Sequence, residues 1–111
     1  MKIELMITSL MCSLFIAFVP SAPVLSTPAN ESLATDIYVT FSWQAGTNAE
    51  KYSLQISEGS NFSNIVYSNS NIYDTERTVQ SFEEGKRYYW RVKSIAGSNS
   101  SAWSVTWAFD F

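Results

Sequence analysis

From Pro23 to the end of the chain, apolar and polar side chains alternate, and Gly, Asn, Ser and Pro interrupt the alternation about every 8–12 residues. A period of two places successive side chains on opposite faces of a β-strand, and we find no segment here with the 3.6-residue period of an amphipathic helix. Short strands at this spacing are typical of an antiparallel, immunoglobulin-like sandwich. The pattern therefore predicts an all-β domain with seven strands, at residues 23–26, 37–43, 52–57, 65–67, 78–80, 88–93 and 105–111.

The same alternation assigns each side chain to a buried or a solvent-facing side. Three of the predicted buried positions hold tryptophan, at Trp43, Trp90 and Trp107, and the last strand also points Val105 inward. The solvent-facing positions of the sixth strand hold Tyr89, Arg91 and Lys93. A buried large apolar side chain stabilises a fold by about 1.5–3 kcal/mol, so these aromatic residues predict a dense core.

Residues 1–22 differ from the rest of the chain. A short start with Lys2 leads into a mostly apolar run at residues 5–19, which is shorter than the ~20 residues of a membrane-spanning helix and close to the ~7–15 of a signal-peptide core. The length predicts a signal peptide, cleaved after Ser21 or Ala22, followed by one domain at residues 23–111. An uncleaved N-terminal anchor is the first alternative, and lipid attachment at Cys12 is the second.

Composition narrows the possible chemistry. The chain has 111 residues, a net charge of −3, one cysteine and no histidine. Without histidine, the commonest general base and zinc ligand are missing, and one cysteine cannot form a disulfide framework. An acidic chain with scattered Lys and Arg does not suit phosphate binding. We therefore expect no enzymatic activity, no cofactor, no metal site and no nucleic-acid partner.

Several short motifs, in this order, resemble the bacterial extracellular branch of the fibronectin type III domains: Pro-Val-Leu-Ser-Thr-Pro-Ala-Asn at 23–30, Phe-Ser-Trp at 41–43, Lys-Tyr-Ser-Leu-Gln-Ile-Ser at 51–57, Ser-Asn-Phe-Ser at 60–63, Tyr-Tyr-Trp-Arg-Val at 88–92, Ser-Ala-Trp-Ser at 101–104 and Trp-Ala-Phe at 107–109. The resemblance covers residues 20–111. It implies a structural corner in which the hydroxyl of Tyr88 bonds to the backbone near Phe82, with Gly85 in the turn between them.

The resemblance also implies a function. Such domains usually serve as binding or spacer modules of exported bacterial proteins, in adhesion or as structural linkers, so we expect a secreted or cell-surface location. The expected partner is a protein or polysaccharide at the cell surface, with no membrane span in the mature form unless residues 1–22 are retained. An alternative is a carbohydrate-binding accessory domain that uses Tyr89 and Trp103, with Arg91 and Lys93 beside Trp103. These residues equally suit a purely structural role, and pairing with another chain through an exposed sheet edge is a further alternative.

Overall fold

The structure is a computed structural model that describes residues 19–111. The predicted signal peptide or anchor at residues 1–22 lies outside the described residues except for residues 19–22, and Cys12 also lies outside them. Residues 19–111 form nine strands and no helix. The strands are β1 (Val24–Thr27), β2 (Ser32–Leu33), β3 (Val39–Gln44), β4 (Lys51–Ser57), β5 (Ile65–Ile72), β6 (Glu76–Val79), β7 (Arg87–Ala96), β8 (Asn99–Ser100) and β9 (Trp107–Asp110).

The strands form two sheets that face each other across one core. The smaller sheet has the order β1-β3-β6, and the larger one has the order β2-β9-β7-β4-β5, with β8 paired to β7. All pairs are antiparallel except the short parallel pair of β2 with β9. The predicted all-β sandwich is confirmed by these two sheets. Seven of the strands have four or more residues, which matches the predicted number. The two-residue strands β2 and β8 were not predicted from the alternation.

Alternating side chains of both sheets form the core. Phe41 and Trp43 from β3 meet Trp90, Tyr52 and Phe109 from the larger sheet, with ring centroids 5.1–5.6 Å apart in edge-on contacts. Such contacts add about 0.5–1.5 kcal/mol to the burial of each aromatic pair. The fully buried set also includes the aliphatic residues Leu54, Ile56, Ile72 and Val92.

Two strand predictions were wrong in detail. β5 continues through Ser68, Asn69, Ser70 and Asn71, a polar stretch predicted to lie outside any strand. These residues extend because their backbone pairs with β4, and the hydroxyls of Ser53 and Ser70 lie 3.0 Å apart. Pairing with a neighbouring strand therefore overrides their low strand propensity.

The last strand begins later than predicted. Val105 was assigned to the buried face, but it is 67% exposed, and Trp107 is half-buried. The backbone N–H of Ser104 donates to the carbonyl of Val92, and regular pairing with β7 resumes only where Trp107 lies opposite Trp90. This irregular segment breaks the alternation between Ser104 and Trp107.

The described chain enters and leaves the sandwich at opposite ends. Val24 at the start of β1 pairs with Gln44, the last residue of β3, whereas Asp110 at the end of β9 pairs with Arg87, the first residue of β7. Because β4 follows β3 through a short loop and runs antiparallel to β7, the last residue of β3 and the first residue of β7 lie at opposite ends.

Hydrogen bonds hold the backbone at both of these ends. At the entry end, the N–H of Ser21 donates to the carbonyl of Thr47 (3.0 Å), and the N–H of Thr47 donates to the hydroxyl of Ser21 (2.7 Å). At the exit end, Phe111 exchanges backbone bonds of 3.0 Å with Gly85 and Lys86. The contacts of the sandwich therefore begin before Pro23.

Candidate functional site

The predicted binding residues lie on the outward side of the larger sheet. In β7, Tyr88, Trp90 and Val92 are buried against the smaller sheet, so the intervening residues point away from the core. These are the half-buried residues Tyr89, Arg91 and Lys93. Two strands flank β7, with Gln55 of β4 opposite Arg91 and Ala108 of β9 opposite Tyr89.

Arg91 is fixed between two aromatic rings. Its guanidinium carbon lies 3.9 Å from the ring centroid of Phe62 and 4.3 Å from that of Trp103. Its Nε and Nη2 atoms both donate to Oε1 of Gln55, at 3.1 and 2.8 Å. Burial lowers the pKa of Arg91, but a guanidinium remains charged at neutral pH. The side chain is therefore a positioned, permanently charged group.

Trp103 is held in place by the backbone on either side of it. Ser101 donates its N–H to the carbonyl of Ser94 (2.9 Å), and Ser104 donates its N–H to the carbonyl of Val92 (2.8 Å). The hydroxyl of Ser104 also accepts a bond from the N–H of Val92. These bonds keep the indole beside Lys93, whose Nζ lies 4.8 Å from the ring centroid.

Phe62 is a member of this site that the sequence reasoning missed. It lies in the β4–β5 loop, is only 7% exposed and has a φ of 57°, a left-handed conformation that costs a side-chain-bearing residue about 1–2 kcal/mol. Its N–H donates to the carbonyl of Gly59, and Asn61 accepts a bond from the N–H of Ser63. No spacing rule predicts that this loop folds back over Arg91. Gln55, the other member of the site that was missed, follows from the pairing of β4 with β7, which places it opposite Arg91.

We call the surface formed by Gln55, Phe62, Arg91, Lys93 and Trp103 the basic face. Tyr89 lies on the same side of the sheet, but no ring contact joins it to Trp103 among the residues that the structure describes. The predicted pairing of Trp103 with Arg91 and Lys93 is present in the structure.

The basic face carries positive charge without a carboxylate partner. Across residues 19–111, no Asp or Glu oxygen lies within 4.0 Å of a nitrogen of Arg91 or Lys93. In contrast, Arg87 contacts Glu31 and Asp110, both at 2.9 Å. This ion pair and its hydrogen bonds raise the pKa of Arg87 and lower that of Asp110.

A similar ion cluster surrounds Lys86. Its Nζ lies 2.7 Å from Glu58 and 3.0 Å from Glu83. The hydrogen bond from Lys86 lowers the pKa of Glu58, and the two carboxylates raise the pKa of Lys86. The cations at the exit end are therefore compensated, unlike those of the basic face.

The residues with a predicted structural role lie in or beside the core. Trp43, Tyr88 and Trp90 are buried, and Phe82 and Trp107 are partly buried against them. The hydroxyl of Tyr88 accepts a 2.9 Å hydrogen bond from the N–H of Glu83. Gly85, with a φ of 82°, forms the turn, and the ring of Phe82 lies 4.9 Å from that of Tyr88. These features form the corner that the sequence resemblance implies.

A groove of about 580 Å³ lies at the exit end, away from the basic face. Leu33, Ile37, Phe82 and Phe111 give it apolar walls, and Glu84 is its single carboxylate. In the described part of the chain, no group of three or more Cys, Asp or Glu side chains is placed to hold a metal ion. Residues 19–111 also contain no helix long and apolar enough to cross a membrane.

The topology and the corner define an immunoglobulin-like β-sandwich. Within that class, the chain has the fibronectin type III fold, which solved structures share. A Fn3-like protein from Clostridium thermocellum is 18% identical, with a TM-score of 0.61 over 82% of this chain and 88% of that one. A fourth FNIII domain of a human protein is 24% identical, with a TM-score of 0.57 over 82% and 78%.

A larger protein contains the same fold as a small part of its length. The β-1,2-glucanase from Parabacteroides distasonis is 18% identical with a TM-score of 0.60, and the match covers 85% of this chain and 13% of that one. No protein-family model and no curated protein sequence matches the chain. The likenesses to solved structures, all below 25% identity, show the fold.

Proposed function

We propose that this chain is a non-catalytic binding or spacer module of an exported bacterial protein, acting at the cell surface in adhesion or as a structural linker. The observation that carries this proposal is the path of the chain, which enters the sandwich at one end and leaves at the other. Backbone hydrogen bonds at Ser21 and at Phe111 hold both ends to the domain. A rigid body with this connectivity keeps any two segments joined to its opposite ends at a fixed separation.

The comparison with the glucanase supports the same function. There the matched region is 13% of the chain, so the fold occurs as one part of a much longer protein. The apolar run at residues 5–19 supports export, because its length suits a signal-peptide core.

A spacer is tested by the distance that it maintains. The chain is placed between two fluorescent proteins, and the transfer efficiency of single molecules is compared with that of a Gly-Ser linker of equal length. We expect a narrow distribution for the sandwich and a broad one for the linker, since a Gly-rich chain is a flexible coil. Equally broad distributions would count against a spacer role.

Export is tested separately. The chain is produced with its own N-terminus in a secreting bacterium, and intact mass is combined with protease treatment of whole cells. A full-length protein accessible to the protease supports the proposal. A mass matching cleavage after Ser21 or Ala22 supports export and a binding module, but it removes the Ser21 hydrogen bonds and any segment before the sandwich, so it contradicts the linker role. A full-length protein that the protease reaches only after lysis contradicts it.

A carbohydrate-binding accessory domain is the second candidate, and the placement of Trp103 beside Arg91 and Lys93 favours it. Retention on insoluble polysaccharides should then be lost in Trp103→Ala. Tyr73→Ala is a matched control, because Tyr73 is an aromatic residue that is 71% exposed elsewhere on the domain. Equal loss in both variants would argue against a site at Trp103.

A further inference from the structure

The basic face continues along the sheet as a surface without acidic residues. On β7, Arg91 and Lys93 are two residues apart, which separates their Cα atoms by about 6.6 Å. On β4, Ser53 lies opposite Lys93, and Lys51 follows on the same side of the strand. On this side of β4 and β7 there is no carboxylate: the partly exposed side chains are Lys51, Gln55, Tyr89, Arg91, Lys93 and Ile95, and Ser53 and Ser57 are buried.

The cations of this surface keep donors available for a ligand. Within the described residues, Lys93 makes no hydrogen bond through its ammonium group, and Arg91 uses Nε and Nη2 for Gln55, leaving Nη1 without an acceptor. The rings of Phe62 and Trp103 and the amide of Gln55 already hold the guanidinium in place. Little side-chain entropy remains to be lost when an anion binds.

We propose that the basic face binds an acidic polysaccharide, a sugar chain that carries carboxylate or sulfate groups. The inference deepens the proposed function, because such a polymer would be met at the cell surface. The anionic groups would be bound by Lys93 and Nη1 of Arg91, and a sugar hydroxyl by the side-chain amide of Gln55. The positive charge of this face is complementary to such a polymer, although the chain as a whole is acidic.

The position of the face in the sheet distinguishes a sugar polymer from an acidic peptide. β4 lies between β5 and β7. Beside the basic face, the other side of β7 is bonded by Ser101 and Ser104, so the backbone groups of both strands are already paired. A peptide that binds by strand addition needs a free sheet edge, which this face does not have. A ligand here is recognised by side chains alone: the charges of Arg91 and Lys93 suit its anionic groups, and the half-buried indole of Trp103 beside them suits a sugar ring.

The test uses the secreted protein and four defined polymers. Polygalacturonate carries carboxylates, dextran sulfate carries sulfates, dextran is neutral, and polyglutamate is an acidic peptide. At an ionic strength of about 0.01 M, where screening extends over about 30 Å, we expect binding to polygalacturonate or dextran sulfate, and the preferred one identifies the anion. Binding should be lost near 1 M salt. Equal affinity for dextran or for polyglutamate overturns the proposal.

Charge variants locate the site. Lys93→Gln should weaken binding about two- to fivefold, the range expected for one solvent-exposed ion pair. Arg77→Gln is the matched control, because Arg77 lies on β6 of the other sheet and has no carboxylate within 4.0 Å among residues 19–111. Equal weakening in both variants would show that net charge alone drives binding and would overturn the proposal.

Failure of this inference can be told apart from failure of the proposed function. An exported chain that binds none of the polymers removes the polysaccharide site and leaves the spacer module. A chain that binds but is not exported supports the site and contradicts the module's location.

Discussion

Replacing Tyr88 by Phe tests how strongly the corner between β6 and β7 holds the sandwich together. The hydroxyl accepts one hydrogen bond, from the N–H of Glu83 at 2.9 Å, and the side chain is only 1% exposed. Phenylalanine keeps the ring contacts with Phe82 and Phe109, at 4.9 and 5.7 Å, so the change removes little more than that bond. A net loss of about 0.5–1.5 kcal/mol is usual for one hydrogen bond, and the N–H left without a partner adds to it. We expect the free energy of unfolding to fall by about 1–2 kcal/mol.

The assay is urea denaturation followed by tryptophan fluorescence, with Tyr89→Phe as the matched control. Tyr89 is the next residue of β7, is half-buried, and makes no hydrogen bond through its hydroxyl among the residues that the structure describes. The control should change stability by less than about 0.5 kcal/mol. The Tyr88 variant should lower the melting temperature by about 4–8 °C per kcal/mol. Equal stabilities of the two variants would falsify the role given to the corner.

Three further predictions concern the ends of the sandwich. Gly46→Ala would place a methyl group against the carbonyl oxygen of Ser21 and the hydroxyl of Ser94, and should destabilise the fold by about 1–3 kcal/mol in thermal melts. An unchanged melting temperature would mean that neither group is packed there. A chain shortened to begin at Pro23 loses both Ser21 hydrogen bonds, so its free energy of unfolding should be about 1–2 kcal/mol lower than that of a chain beginning at Val19. Identical midpoints in urea denaturation would contradict the entry contacts. The hydrogen bond from Arg87 lowers the pKa of Asp110 in the folded state, so the stability gained from this pair is complete above about pH 4 and is lost as the pH falls through the lower folded pKa. Asp110→Asn should therefore flatten the acid limb of a curve of unfolding free energy against pH. An unchanged limb would refute the pairing.

The core was predictable from the sequence because a period of two carries the needed information at each position. Val39, Phe41 and Trp43 alternate with polar residues, and all three are buried. The prediction failed where pairing with another strand outweighs local preference. β5 accepts Ser and Asn residues because β4 supplies its hydrogen bonds, and Val105 is exposed because the backbone before β9 is irregular.

The candidate site was only partly predictable for the same physical reason. Arg91 and Lys93 follow from the alternation of β7, and they were predicted from the sequence to lie beside Trp103. Phe62 was not predicted, because its position over Arg91 depends on a loop with a left-handed residue. Gln55 required the register of β4 against β7, which alternation within a single strand does not specify.

The two proposed roles are compatible because they use different parts of one rigid body. Linking uses the two ends of the sandwich, at Ser21 and Phe111, whereas the basic face lies on the broad side of the larger sheet. A polymer bound along β4 and β7 would leave both chain ends unobstructed. It would contact side chains whose positions depend on the buried alternate residues of the same strands. The core that makes the domain rigid therefore also orders Arg91 for binding. A core substitution that loosens β7 should weaken both the linking and the binding role, whereas Lys93→Gln should affect binding alone.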